Sequence, residues 1–207
     1  MSKIAMDFDI YHRRRWPDRP MSLGSCAWLV ASSPGLRLLL MHRFTCWRHS
    51  KLKVGGWQAC FWRIMEIALS PLKIVIKVSS KSEICHDSVI EDGVYFSDHG
   101  YIIFGALKTG RGTIIGTRVT VGMDRAGGGR PKIGHNVWIG SDCVIYGSIS
   151  IGDGATLLPN TVLSKNIPPN VIMQGNPARL VLSDYDNSKL REHQNIDMIQ
   201  HQNTMVA

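Results

Sequence analysis

From Ile84 onward, aliphatic side chains return every six residues, and this spacing limits the possible folds more than any other feature of the chain. Ile84, Ile90, Phe96 and Ile102 are six apart, and Ile133, Ile139, Ile145, Ile151, Leu157 and Leu163 hold the spacing without a slip. Glycine often follows the aliphatic residue, as in Ile115-Gly116, Val121-Gly122, Ile139-Gly140 and Ile151-Gly152, and a small or apolar residue (Val137, Cys143, Ile149, Ala155) falls four places on. A period of six is neither the repeat of a helix nor the alternation of a strand. It fits short strands joined by tight turns, three to a coil, with the aliphatic residue pointing inward: a parallel β-helix. Glycine is expected to supply the positive φ of each turn. Between Gly122 and Pro131 the hexads stop and then resume in step at Ile133, so this loop is expected to be extruded with the coil intact.

Before Ile84 the pattern differs. Leu36, Leu39, Leu40, Phe44 and Trp47 follow the spacing of one helix face. Ser33-Pro34 provides a start, Gly55-Gly56 a break, and residues 79–83, SSKSE, a polar joint. The most apolar stretch, Trp57 to Val78, is interrupted by Arg63, Glu66, Pro71, Lys73 and Lys77. A membrane span needs roughly 20 mostly uncharged residues, so a span is rejected; packing against another subunit is preferred over an interfacial helix. The expected organisation of the 207 residues is α+β: a helical domain over 1–80, a β-helix over 81–182 and a polar tail over 183–207.

A net charge of +8 suits an anionic partner. Arg13-Arg14-Arg15 sits in no nucleic-acid-reading motif, so nucleic acid is not expected. Five widely spaced cysteines, with no C-x-x-C pair, argue against a disulfide framework or structural zinc. The amino terminus lacks the apolar core of a signal peptide, and the cytoplasm is the expected compartment.

Three segments resemble the serine acetyltransferases, within the hexapeptide-repeat acyltransferase superfamily. SPGLRLLLMHR (Ser33 to Arg43) resembles the family's P-G-F-x-A-L-x-x-[HY]-R stretch, and SDHGYIIFG (Ser97 to Gly105) resembles L-D-H-A-T-G-I-V-I-G. TVGMDRAGGGRPKIG (Thr120 to Gly134) resembles the loop ending G-D-R-H-P-K-I-G. QGNPARLV, from Gln174 to Val181, is similar to the segment where such helices close. The resemblance implies a left-handed coil, a homotrimer with an optional dimer of trimers, and acetyl-CoA as co-substrate with no metal. The implied reaction is transfer of acetyl to the hydroxyl of L-serine or a serine-like amino acid, as in cysteine biosynthesis; the alternative is a sugar acceptor. The chain ends NTMVA rather than in isoleucine, so no stable complex with cysteine synthase is expected.

The resemblance puts Asp98 and His99 on the family's catalytic pair, with Asp98 also contacting the acceptor. Physically, an attacking hydroxyl needs a base, and histidine titrates near working pH. Adjacent strand residues point to opposite faces, so another carboxylate is expected to orient the His99 ring. Arg130 stands where the family has a carboxylate-binding histidine, and its guanidinium forks onto a carboxylate in two bonds. Asp9 is aligned with a substrate-binding aspartate. The implied cofactor contacts are Gly122, Gly140, Ser141 and Pro159 for pantetheine, with Lys165 and Arg179 for the adenosine phosphates. A γ-type carbonic anhydrase needs a third histidine where Gly140 stands, which leaves His99 and His135 short of a zinc set and His135 as a turn residue. A non-enzymatic scaffold is disfavoured by the intact Asp98-His99 pair.

Overall fold

The computed structural model describes residues 3–52, 65, 70, 74–76, 78–124 and 128–191. The break at Gly55-Gly56 and most of the apolar stretch from Trp57 to Val78 lie outside them.

Three helices precede the coil: α1 (Lys3–Arg15), α2 (Leu23–Ser32) and α3 (Pro34–Leu52). Ser22 caps α2 reciprocally, accepting from Ser25 N at 3.2 Å while Ser25 Oγ accepts from Ser22 N at 2.9 Å. Pro34 opens α3, where a missing N–H costs nothing.

The strands close a triangular coil. The first face holds β1 (Glu83–Ile84), β4 (Ile103–Phe104), β7 (Thr120–Gly122), β10 (Val144–Tyr146) and β13 (Val162–Leu163). The second holds β2 (Val89–Ile90), β5 (Lys108–Thr109), β8 (Lys132–Ile133) and β11 (Ser150–Ile151). The third holds β3 (Tyr95–Phe96), β6 (Ile114–Ile115), β9 (Trp138–Ile139), β12 (Thr156–Leu157) and β14 (Ile172–Gln174). These pair in parallel; β15 (Arg179–Leu182) then turns back antiparallel on β14 and ends the third face. Ile139, Ile145, Leu157 and Leu163 are buried on the coil axis, as the hexads required.

Two expectations are corrected. Phe104, not Ile102, pairs with Ile84 and Val121, so the interior ladder steps eight residues from Phe96 instead of six. The two extra residues sit in the corner that carries Asp98, His99 and Gly100; Ile102 is still buried beneath it, its N–H donating to Ser82 Oγ at 3.0 Å. The glycine after the aliphatic residue is also not the positive-φ residue. Positive φ falls two places later, at Arg118 (53°), Asn136 (54°), Asp142 (60°) and Gly154 (66°). The glycine itself makes room: a Cβ at Gly140 would come within 2.8 Å of Pro159 N in the next coil, and one at Gly116 within 2.8 Å of Ser141 N.

The helices dock on the coil through buried polar contacts. Tyr11 Oη donates to Phe96 O at 2.9 Å and accepts from Phe96 N at 3.0 Å. A Cβ on Gly35 would strike Phe96 O, so only glycine lets α3 approach this closely. Arg43 binds the fully buried Asp7 through two nitrogens, at 3.0 and 3.2 Å, and Gly93 N donates to Asp7 Oδ1 at 3.0 Å. The polar joint before β1 is partly interior, with Ser80 and Ser82 buried. The tail also begins pinned: Asn187 Nδ2 donates to Asn136 O at 2.8 Å and to Gly154 O at 3.0 Å.

Candidate active site

The turns of successive coils stack into three corner columns. Along the column between the third and first faces, Arg118 N donates to Gly100 O at 3.2 Å, Asp142 N to Thr117 O at 2.9 Å and Asn160 N to Ser141 O at 3.0 Å. Asp98 and His99 lie at the top of this column; Gly140, Ser141 and Pro159 lie below them in it.

Asp98 and His99 occupy a turn, not a strand, so the alternation expected of adjacent strand residues does not apply. Gly100 (φ 72°) and Tyr101 (φ 59°) complete the turn, and a Cβ at Gly100 would strike Ser80 O. Asp98 is half-buried and faces the start of α3, accepting from Gly35 N at 3.2 Å and from the Ser33 hydroxyl. Burial raises its pKa, against those two hydrogen bonds and the nearby charges of His99 and Arg15. His99 is exposed; its N–H reaches Ser97 Oγ at 3.4 Å, and that oxygen lies 3.2 Å from Thr117 Oγ1. The corner therefore presents an imidazole to solvent on a backbone held from behind by a helix. Cys143 belongs to the same column but faces the coil interior, where burial pushes its thiol up to about 11. It stays protonated at neutral pH and is no nucleophile there.

The column between the first and second faces carries Gly122, the described loop residues 123–124 and 128–131, and Lys165. Among the described residues, a side chain at Gly122 would meet nothing within 4 Å. Arg130 Nη1 donates to Cys85 Sγ at 3.2 Å in the same column. His99 and Arg130 thus stand on different corners, a whole face apart, and one chain does not bring them together. Arg179 lies on the exposed edge strand β15.

The third column holds His135, whose Nδ1 accepts from Arg111 N at 3.2 Å and lies 3.4 Å from Glu91 Oε2. It shares no corner with His99, so one chain does not offer the two to one zinc ion. Asp9 pairs with Arg13 at 2.9 Å on the exposed side of α1 and lines a cavity of about 480 Å³ at this third corner, with Asp92 and Arg111. The buried carboxylate of α1 is instead Asp7, which sequence reasoning did not single out. Its partner Arg43, with Gly35 and with His42 at 3.0 Å from Ser88 O, accounts for the SPGLRLLLMHR segment as a docking surface.

The family model described as bacterial transferase hexapeptide (six repeats) matches residues 130–165. Galactoside O-acetyltransferase of Escherichia coli (strain K12) is 42% identical over 57 residues, 28% of each chain. Serine acetyltransferase 2 of Arabidopsis thaliana is 34% identical over 102 residues, 46% of this chain and 32% of that protein. The chain thus spans about a third or less of the curated relatives it matches. Among solved structures, the serine acetyltransferase of Brucella abortus strain S19 aligns with TM-score 0.65 and 21% identity, over 87% of this chain and 68% of that one. A serine acetyltransferase in complex with CoA aligns with TM-score 0.62 and 23% identity, over 86% and 68%. Residues 130–165 carry the hexapeptide repeat of the bacterial transferases, and the chain shares the fold of the serine acetyltransferase structures with which it aligns.

Proposed function

We propose that the chain is an acetyl-CoA-dependent O-acetyltransferase whose acceptor is the hydroxyl of L-serine or a serine-like amino acid. The observation that carries this reading is the Asp98-His99 corner. It is a solvent-facing imidazole on a turn braced by α3, above a column that includes Gly140, Ser141 and Pro159. His99 takes the proton of the acceptor hydroxyl as its oxygen attacks the thioester carbonyl. The C–O bond forms, the C–S bond breaks, and the proton passes to the departing CoA thiolate. Backbone N–H groups of the corner stabilise the oxyanion. Asp98, tied to Gly35, is a positioning residue that keeps the corner and contributes negative charge toward the acceptor amine.

Arg130 holds the acceptor carboxylate. Because it occupies a different corner from His99, the reading requires a second copy to complete each site, in a left-handed homotrimer with the groove between neighbouring coils. Pantetheine then runs past Gly122, Gly140, Ser141 and Pro159, and the adenosine phosphates meet Lys165 and Arg179. Asp9 joins only if the neighbouring helices bring it close. The reading also carries a cytoplasmic role in amino-acid biosynthesis. A sugar acceptor is the second reading, favoured by the identity shared with a galactoside O-acetyltransferase.

The test is thiol release from acetyl-CoA with L-serine, other hydroxy amino acids and sugars. His99→Ala is expected to lower kcat by about 10²–10⁴ with unchanged thermal unfolding, since the ring is exposed. Wild-type turnover in that variant overturns the assignment. Release with sugars alone moves the conclusion to the second reading.

A further inference from the structure

We propose that Cys85, His86 and Asp87 form a binding site for a thiophilic divalent cation of the zinc class. The three residues are consecutive, a spacing that an extended strand would direct to alternate faces. They occupy instead the tight turn between β1 and β2, where Sγ, a ring nitrogen and a carboxylate oxygen all lie within 4.8 Å of one another. The turn is fixed by its backbone: Cys85 N donates to Phe104 O at 2.8 Å, Ser88 N to Cys85 O at 3.1 Å and Val89 N to Leu107 O at 3.1 Å.

The donor set is that of a borderline-soft metal: one sulfur, one imidazole, one carboxylate. Metal bonds of about 2.0–2.3 Å in a tetrahedron set ligand atoms roughly 3.3–3.8 Å apart. The atoms here need only small rotations to reach that spacing. His86 Nε2 already lies 2.7 Å from Asp87 Oδ1, and both side chains are largely exposed and free to turn without repacking. Three protein ligands leave one position for water or a further donor. Such donors are close: His86 and Asp87 line a cavity of about 920 Å³ whose α3 wall carries Cys46 and His49, and Cys46 Sγ is 3.7 Å from His86 O. The opposing charges are Arg130, 3.2 Å from Cys85 Sγ, and Lys3, Arg43 and Arg48 in the cavity lining, of which Arg43 is paired with Asp7. An N–H donor to a metal-bound thiolate, as Arg130 would be, is an ordinary outer contact.

The site is on the corner between the first and second faces and does not depend on the acetyl-transfer reading. The experiment is an anaerobic titration of the full chain with Co²⁺, read by the thiolate-to-cobalt charge-transfer absorption, followed by displacement with Zn²⁺. One ion per chain is expected. The band disappears in Cys85→Ser, and His86→Ala or Asp87→Asn weakens binding by more than the roughly 10–100-fold lost with an outer contact. Arg130→Gln, which removes the cation against Cys85 Sγ, binds at least as tightly. Circular dichroism identical to the wild type keeps folding out of the comparison. No band in the wild type, a band that survives Cys85→Ser, or loss of binding in Arg130→Gln overturns the proposal.

Discussion

Asp98 faces inward to α3 while its neighbour His99 faces solvent, and that division of direction makes the corner usable. The carboxylate accepts from Gly35 N near the positive end of a helix, where negative charge is favoured. Desolvation nevertheless wins, raising its pKa above the ordinary 3.8. The folded chain therefore holds the Asp98 proton more tightly than the unfolded chain does. Its contribution to stability is present below the unfolded value and is lost as pH rises through the raised folded value. Asp98→Asn has no such titration. The stability of the wild type relative to Asp98→Asn is accordingly expected to fall as pH rises from below 3.8, read from urea midpoints of the two proteins across that range. A constant difference would show that Asp98 titrates alike in both states.

At the scale of elements, the helices and the coil meet through a few buried polar contacts set in an apolar interface of Leu36, Leu39 and Phe96. Arg43 of α3 donates to both Asp7 oxygens and to the carbonyls of Ile90 and Glu91, so one guanidinium joins α1, α3 and the β2–β3 turn. Removing one partner leaves a buried charge without its counterion, which costs about 3–5 kcal/mol. Asp7→Ala is expected to lose that amount in denaturant unfolding. Asp7→Leu combined with Arg43→Met is expected to regain part of it, since it buries no lone charge. The helical periodicity of Leu36, Leu39 and Leu40 was legible in the sequence. Asp7 was not, because nothing local distinguishes a buried acidic residue on α1 from the exposed Asp9 two places on.

At the scale of the whole molecule, the triangular section decides which residues can cooperate. His99 and Arg130 lie on separate corners, so the proposed site joins a corner of one copy to a corner of the next. In a cyclic trimer, chains lacking His99 and chains lacking Arg130 complement each other. Co-expressed His99→Ala and Arg130→Ala chains are expected to recover activity in roughly a quarter of the grooves, from random assembly of equal amounts. Each variant alone is expected to show little, and separately purified trimers mixed without exchange no more than that. Activity of the co-expressed chains no greater than that of either alone would place both residues' work within one chain.

The hexad spacing by itself determined the coil. Each repeat carries its inward residue and its turn within six positions, so the information is local and survives the loop after Val121. The SDHGY turn was likewise legible as a unit because its residues are contiguous. Only the tertiary structure decided the rest. The ladder slips to Phe104 because the corner holds two extra residues, and Gly116 and Gly140 are glycine because the next coil's backbone lies against them. Asp7 meets Gly93 across 86 positions, Tyr11 meets Phe96 across 85 and Gly35 meets Asp98 across 63. Periodicity reports how a residue sits in its own element. It carries no information on which elements close against one another, and that closure sets the Asp98-His99 corner and parts it from Arg130, whereas Cys85, His86 and Asp87 converge within one local turn.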